Sequence, residues 1–181
     1  MSARSGSSER PVFQIEAATE EDWPWIVQGE AEIAWVRLGH ERQEESDRQT
    51  IEARVAQRIA KLRKDEGFPN QAFVARTGDE AHAGFVWVAR THNDSTGQLE
   101  ASLLSQYVAA PYRGHGLGHR LLDMAEEWAR QQGLPRISLS VGADNTMGQR
   151  LYEALGYQVE TLRMTKKLRP QEPDELLLAN D

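Results

Sequence analysis

A chain of 181 residues, 39% hydrophobic and 27% charged, suits one globular domain with its own core and excludes disordered and fibrous classes. Its formal charge of −7 opposes non-specific nucleic-acid binding, which needs a basic face, and mildly favours cationic partners such as amines. With no cysteine, disulfides, a thiol nucleophile and Cys-ligated metal sites are excluded.

Residues 1–11, "MSARSGSSERP", lack the apolar segment of a secretory signal and read as a flexible lead. No apolar run approaches the roughly 20 residues that span a bilayer, so a cytoplasmic protein without a membrane partner is expected. "VFQIEAAT" alternates like a strand, and Thr19 with Asp22 forms a capping signal for a helix holding Trp25, Ile26 and Ile33. "GHERQEESDRQ" reads as a loop. From Ser46, Ile51, Val55, Ile59 and Leu62 mark a second helix, which "EGFPN" stops. "QAFVAR" and "HAGFVWVART" are strands around a "TGDE" turn, and "THNDSTG" leads to a third, "QLEASLLSQYV". Next comes a helix with Leu117, Leu121, Ala125, Trp128 and Ala129 on one face, closed by Gly133 and Pro135. "RISLSV" is a short strand. Asp144 or Asn145 caps a last helix with Met147, Leu151 and Leu155, ended by Gly156, and "YQVE" and "LRMTKKL" close as two strands. The expected fold class is thus α/β in the α+β sense, a mixed sheet with helices on both faces. The expected boundaries are a domain over residues 12–168 and a Pro-rich, acidic, then apolar tail over 169–181.

The stretch "YRGHGLGHRL" sets three glycines, Gly114, Gly116 and Gly118, between a strand and a long helix. Free N–H groups and the positive end of the dipole at a helix start favour an anion there, and Arg113 could add a charge. The stretch lacks the Lys-Ser/Thr of a P-loop, and His119 stands where the dinucleotide fingerprint needs its third glycine. On these residues alone, a phosphate cradle and a tight turn without ligand both stand.

"VAAPYRGHGLGHRLLDMAEEWA" resembles the signature of the GNAT superfamily of acyl-CoA-dependent N-acyltransferases, in which Arg113, Gly116 and Gly118 fit the Arg/Gln-x-x-Gly-x-Gly/Ala element. "LSVGADNTMGQRLYEALGYQVE" is similar to the family's second half, a strand, then Asn, then a helix with Tyr, then Leu-Gly-Tyr. The resemblance implies a central, mostly antiparallel sheet whose parallel strands splay into a V. It implies transfer of an acetyl group from acetyl-CoA to the amine of a small molecule or peptide by direct attack, with no metal. The pyrophosphate would lie on the backbone of Gly114, His115, Gly116, Leu117, Gly118 and His119. The pantetheine arm would lie along Gln106, Tyr107 and Val108, where a backbone N–H of Tyr107 or Val108 could polarise the thioester carbonyl.

By the same resemblance Tyr152 would donate a proton to the departing thiolate, and Asn145 would hydrogen-bond the cofactor arm. Their alternatives are a tyrosine packed at the helix end and a plain helix cap. The base is less legible. Some members place a Glu where this chain has Ser140, which could order a relaying water. Others use a central strand, and Glu100 shares the alternation parity of Val108 unless a bulge reverses it. His92 is a further candidate, and a surface role is the alternative for both. The acidic run Glu41, Glu44, Glu45 and Asp47 is either a solvated face or a border of the acceptor site. One or two of Trp23, Trp25, Trp35 and Trp87 could line that site rather than the core. His115 and His119 have a helix spacing that binds metals but lack a third ligand. Rivals to amine acetylation are an acyl-CoA sensor without turnover and a longer-chain or protein N-terminal acyltransferase. Homodimers are common in the family, and "ELLLAND" could serve one.

Overall fold

Capping chemistry begins the first helix. The Asp22 carboxylate accepts from the Thr19 N–H at 2.8 Å and from the Thr19 hydroxyl at 3.0 Å, which fixes the chain where strand β1 (Phe13–Ala17) turns into α1 (Trp23–Arg37). These coordinates belong to a computed structural model that describes residues 11–65 and 67–168. The N-terminal lead, the tail and its suggested dimer contact lie outside the described residues, apart from Pro11.

The chain divides into two compact units, the first ending at Thr146 and the second starting at Met147. In the first, α1 is followed by α2 (Gly39–Glu44), α3 (Arg48–Lys64), β2 (Asn70–Thr77), β3 (His82–His92), β4 (Leu99–Val108), α4 (Leu117–Gln131) and β5 (Ile137–Leu139). The five strands lie in chain order. β1 to β4 pair antiparallel, and β5, reached through α4, pairs parallel to β4.

Successive strand residues face opposite sides of a sheet, and β3 uses both. Phe85 and Trp87 face α1 and α3, joining Ile26, Ala31, Val55, Ile59, Ala72 and Val74 in one buried cluster. Gly84 faces the other way, where a Cβ would sit 3.1 Å from Leu121 and 3.2 Å from Leu117, so α4 packs directly on the strand. Leu117, Leu121, Leu122, Ala125 and Ala129 bury that face of α4. Each large apolar side chain so buried contributes about 1.5–3 kcal/mol relative to exposure. The buried indole of Trp87 keeps its N–H satisfied by donating to Asn70 Oδ1 at 2.8 Å.

Three departures from the sequence reading have physical causes. The expected loop after α1 contains the polar helix α2, which carries no apolar stripe to reveal it. It is held by Gln43 Nε2 donating to the Trp35 carbonyl at 2.9 Å and by the His40–Glu44 pair at 3.3 Å. The strand expected from "RISLSV" shortens to three residues. The two closing strands are not formed: residues 157–168 take no regular structure, and Val159, Leu162 and Met164 are exposed. Alternation of apolar residues is local, whereas a strand needs a ladder partner.

In the second unit α5 (Thr146–Ala154), which takes its first residue from the first unit, is followed by Gly156 at a left-handed φ of +88°. Tyr157 N–H donates to the Tyr152 carbonyl and Gly156 N–H to that of Glu153, both at 3.0 Å.

Candidate active site

β4 changes character along its length. Ala101, Ser102 and Leu103 pair with β5 at Ile137, Ser138 and Leu139. Beyond Leu103 the two strands part. At this level β4 also bulges: Val88 of β3 pairs with Leu103 and Trp87 with Ser105, leaving Leu104 without an opposite residue. The bulge reverses the strand's parity. Ala109 N–H donates to the Ala83 carbonyl, so by alternation the N–H and C=O of Val108 point away from β3, toward the edge that β5 has left. Arg113 Nε donates to the Val108 carbonyl from that side at 2.9 Å.

The glycine stretch follows at the same end. A short 3-10 turn (Ala110–Tyr112) leads to Arg113, and then Gly114 and Gly116 take φ of +80° and +77°, left-handed values that cost a side-chain-bearing residue about 1–2 kcal/mol. A Cβ at either would meet nothing within 4 Å, so backbone conformation selects glycine here, leaving room above the loop. α4 then starts at Leu117, and the N–H groups of its first turn have no partner within the helix. Gln106 Nε2 donates to the Gly118 carbonyl at 2.6 Å, tying the part of β4 beyond β5 to that turn. His115 Nδ1 bonds the Arg113 carbonyl at 2.9 Å, inside the loop.

The other expected residues are distributed as follows. Glu100 lies at the paired end of β4, roughly 20 Å along the strand from Tyr107. The bulge sets it on the opposite face from Val108, and its carboxylate accepts from Ser138 at 3.0 Å and Asn93 at 3.3 Å. His92 lines a cavity of about 490 Å³ at that far end, with Arg90 and Phe68. Ser140 is exposed just after β5, and its carbonyl accepts from Arg37 at the end of α1, at 3.1 Å. Asn145 directly precedes α5, and within the second unit the Tyr152 ring packs edge-on to Tyr157, centroids 5.8 Å apart.

Beside the half of β4 that lies beyond β5, a cavity of about 700 Å³ opens between α1 and α3, walled by Trp25 and Tyr107. Gly29 allows this contact, since a Cβ there would sit 2.5 Å from Phe85 and 3.4 Å from Tyr107. Trp25 stacks on His82 and meets Tyr107 edge-on at 5.9 Å. The cavity's carboxylates are Glu32 and Glu52, not the acidic run before α3, and both bind Arg48, at 2.8 and 3.0 Å. Behind Trp25, Asp22 is buried with Arg76 and His82 on its Oδ1. Burial works to raise its pKa, but the Thr19 N–H, His82, the Thr19 hydroxyl and Arg76 outweigh it and bring the pKa down to about 2.

Glu30, not expected from the sequence as a site residue, is 3% exposed on α1 beside the bulge. Its Oε2 accepts from Arg58 at 3.3 Å. Its Oε1 and the Ser105 Oγ are buried without a hydrogen-bond partner among the described residues. Burial pushes the Glu30 carboxyl pKa up, while the neighbouring Ser105 hydroxyl, Arg58 and Arg37 pull it back without cancelling the rise. A signal existed: Ile26, Glu30 and Ile33 follow helix spacing, so an acid occupies a core position.

Residues 18–157 match the model of the acetyltransferase (GNAT) family. The chain belongs to that family. An uncharacterized N-acetyltransferase of Bacillus subtilis, YycN, is 33% identical over 85 residues, covering 47% of this chain and 53% of its own. Aminoglycoside N(6')-acetyltransferase type 1 of Serratia marcescens is 35% identical over 96 residues, covering 51% and 65%. The chain thus matches between half and two thirds of the length of these GNAT relatives. Among solved structures, a putative acetyl transferase from Pyrococcus furiosus superposes with a TM-score of 0.75 at 27% identity, covering 87% of this chain and all of that one. Among the described residues no helix is long and apolar enough to cross a membrane, and no three His, Asp or Glu side chains form a metal-ligating group.

Proposed function

We propose that this GNAT protein transfers acetyl from acetyl-CoA to the primary amine of a small molecule or peptide in a ternary complex, in the cytoplasm and with residues 12–168 as the working domain. The carrying observation is the juxtaposition at one end of β4 of an edge without β5 and a left-handed glycine loop opening a helix. The residues present fit the cofactor. The N–H groups from Gly114 to His119 suit a pyrophosphate, and the room above Gly114 and Gly116 admits one. The outward backbone of Gln106 and Val108 suits a pantetheine amide, and Asn145 would add a hydrogen bond. Held there, acetyl-CoA supplies a thioester carbonyl that an amine can attack.

The chain's residues would act as follows. Val108 N–H points away from β3 and would stabilise the carbonyl oxygen as it gains charge. Trp25 and Tyr107 would orient the acceptor, with Glu32 and Glu52 favouring a cation. Tyr152 would protonate the leaving sulfur. The aminoglycoside acetyltransferase relative supports a small amine as acceptor. A test is thiol release from acetyl-CoA with kanamycin, spermidine, tyramine and unblocked peptides. Amine-dependent release is expected. Tight acetyl-CoA binding with no release on any acceptor would reject catalysis in favour of a sensor, and an unchanged rate in Tyr152→Phe at every pH would remove the assigned acid.

A further inference from the structure

A carboxyl buried in the wall of the open half of β4 has no assigned task. Glu30 is 3% exposed and Ser105 2% exposed, one on α1 and the other on the β4 bulge. A buried polar atom without a partner costs about 1–3 kcal/mol, and Glu30 Oε1 and Ser105 Oγ are two such atoms among the described residues, with the Ser105 hydroxyl near enough to act on the Glu30 carboxyl. Such atoms call for an explanation, and a catalytic role is one that a carboxyl near a cleft can fill. Helix neighbours Gly29 and Ala31 line the 700 Å³ cavity, and so does Tyr107, two residues from Ser105. The charged groups around Glu30 are Arg58 from α3 and Arg37 from its own helix, and β4 presents Ser105. Arg58 is more than half exposed and meets Oε2 at 3.3 Å, so this ion pair does not engage Oε1.

We propose that Glu30, acting through the Ser105 hydroxyl, receives the proton of the acceptor ammonium. The inference rests on the acetyl-transfer reading and supplies the base that Glu100, at the far end of β4, is not placed to be. In the step, an ammonium N–H bond breaks and its proton passes by way of the Ser105 oxygen to Glu30, neutralising the carboxylate. The nitrogen lone pair bonds to the thioester carbonyl carbon, the C–S bond breaks, and the second nitrogen proton replaces the one given to sulfur. One amide, one thiol and a protonated Glu30 result, and the last returns its proton to solvent.

The test compares wild type with Glu30→Gln, Glu30→Asp and Ser105→Ala across pH, using whichever of kanamycin, spermidine, tyramine or an unblocked peptide releases thiol fastest. General-base loss predicts a fall in kcat of about 100-fold at pH 7 for Glu30→Gln, with the KM for acetyl-CoA within about twofold. The deficit should shrink toward unity as pH passes the amine's own pKa, because free amine no longer needs the base. Glu30→Asp should regain part of the rate, and Ser105→Ala should show the same pH signature with a loss of about tenfold. A merely structural role gives a deficit equal at every pH, and that result, or a wild-type profile in Glu30→Gln, overturns the assignment. Wild type without thiol release on any acceptor overturns the acetyl-transfer reading instead. Should Glu30→Gln melt below the assay temperature, Ser105→Ala carries the same pH comparison.

Discussion

The two halves of β4 have the same backbone and opposite consequences. From Leu99 to Leu103 the strand is flanked by β3 and β5, and its carboxylate, Glu100, is satisfied by Ser138 and Asn93. From Leu104 to Val108 the strand keeps β3 but not β5, and the carboxylate beside it, Glu30, has an oxygen without a hydrogen-bond partner among the described residues. Completed hydrogen bonding makes the first half scaffold. In the second half the outer backbone edge is left by β5, and α1 and α4 pack on the two faces.

The strongest blow to the open half is Gly116→Glu. It combines a left-handed strain of about 1–2 kcal/mol with a carboxylate in the anion cradle, and calorimetry should show acetyl-CoA affinity falling at least about 100-fold while the protein stays folded. Next is Gly29→Ala, whose Cβ would press 2.5 Å from Phe85 and push α1 off β3. A stability loss of about 1–3 kcal/mol is expected in denaturant melts, with the acceptor KM rising more than that for acetyl-CoA. Asp22 tests the scaffold behind the cavity. Its folded pKa of about 2 lies below the ordinary 3.8, so its contribution is complete above the ordinary value and is lost as pH falls through about 2. Asp22→Asn should therefore cost about 2 kcal/mol at neutral pH and nearly nothing at pH 2, read from urea melts at both. The smallest effect belongs to Glu100→Gln in the paired half, where turnover should stay within about twofold and stability within about 1 kcal/mol. A large loss of turnover there would erase the contrast between the halves.

Much of this was legible in the residues because its signals are local. The apolar spacings of α3 and α4, the Thr19–Asp22 cap and the glycine stretch each depend on neighbours a few positions away. The parting of β4 from β5 is not local. It depends on β5 ending at Leu139, and no periodicity announces that. The bulge at Leu104 is equally silent, so parity reasoning could not decide which backbone faces the cleft or where Glu100 points. The same holds for residues 157–168, whose alternation predicts two strands although no ladder partner forms there. Glu30 stood midway. Its place on the Ile26–Ile33 stripe marked it as odd, but its meeting with Ser105 required the tertiary packing of α1 on β4.

Amide chemical shifts during titration with acetyl-CoA test the contrast most directly, residue by residue along β4. The largest changes should fall on Gln106, Tyr107, Val108 and the amides from Gly114 to His119, with Glu100, Ala101, Ser102 and Leu103 nearly still. Shifts concentrated at Glu100 and His92, with Val108 and Gly116 unmoved, would contradict the account.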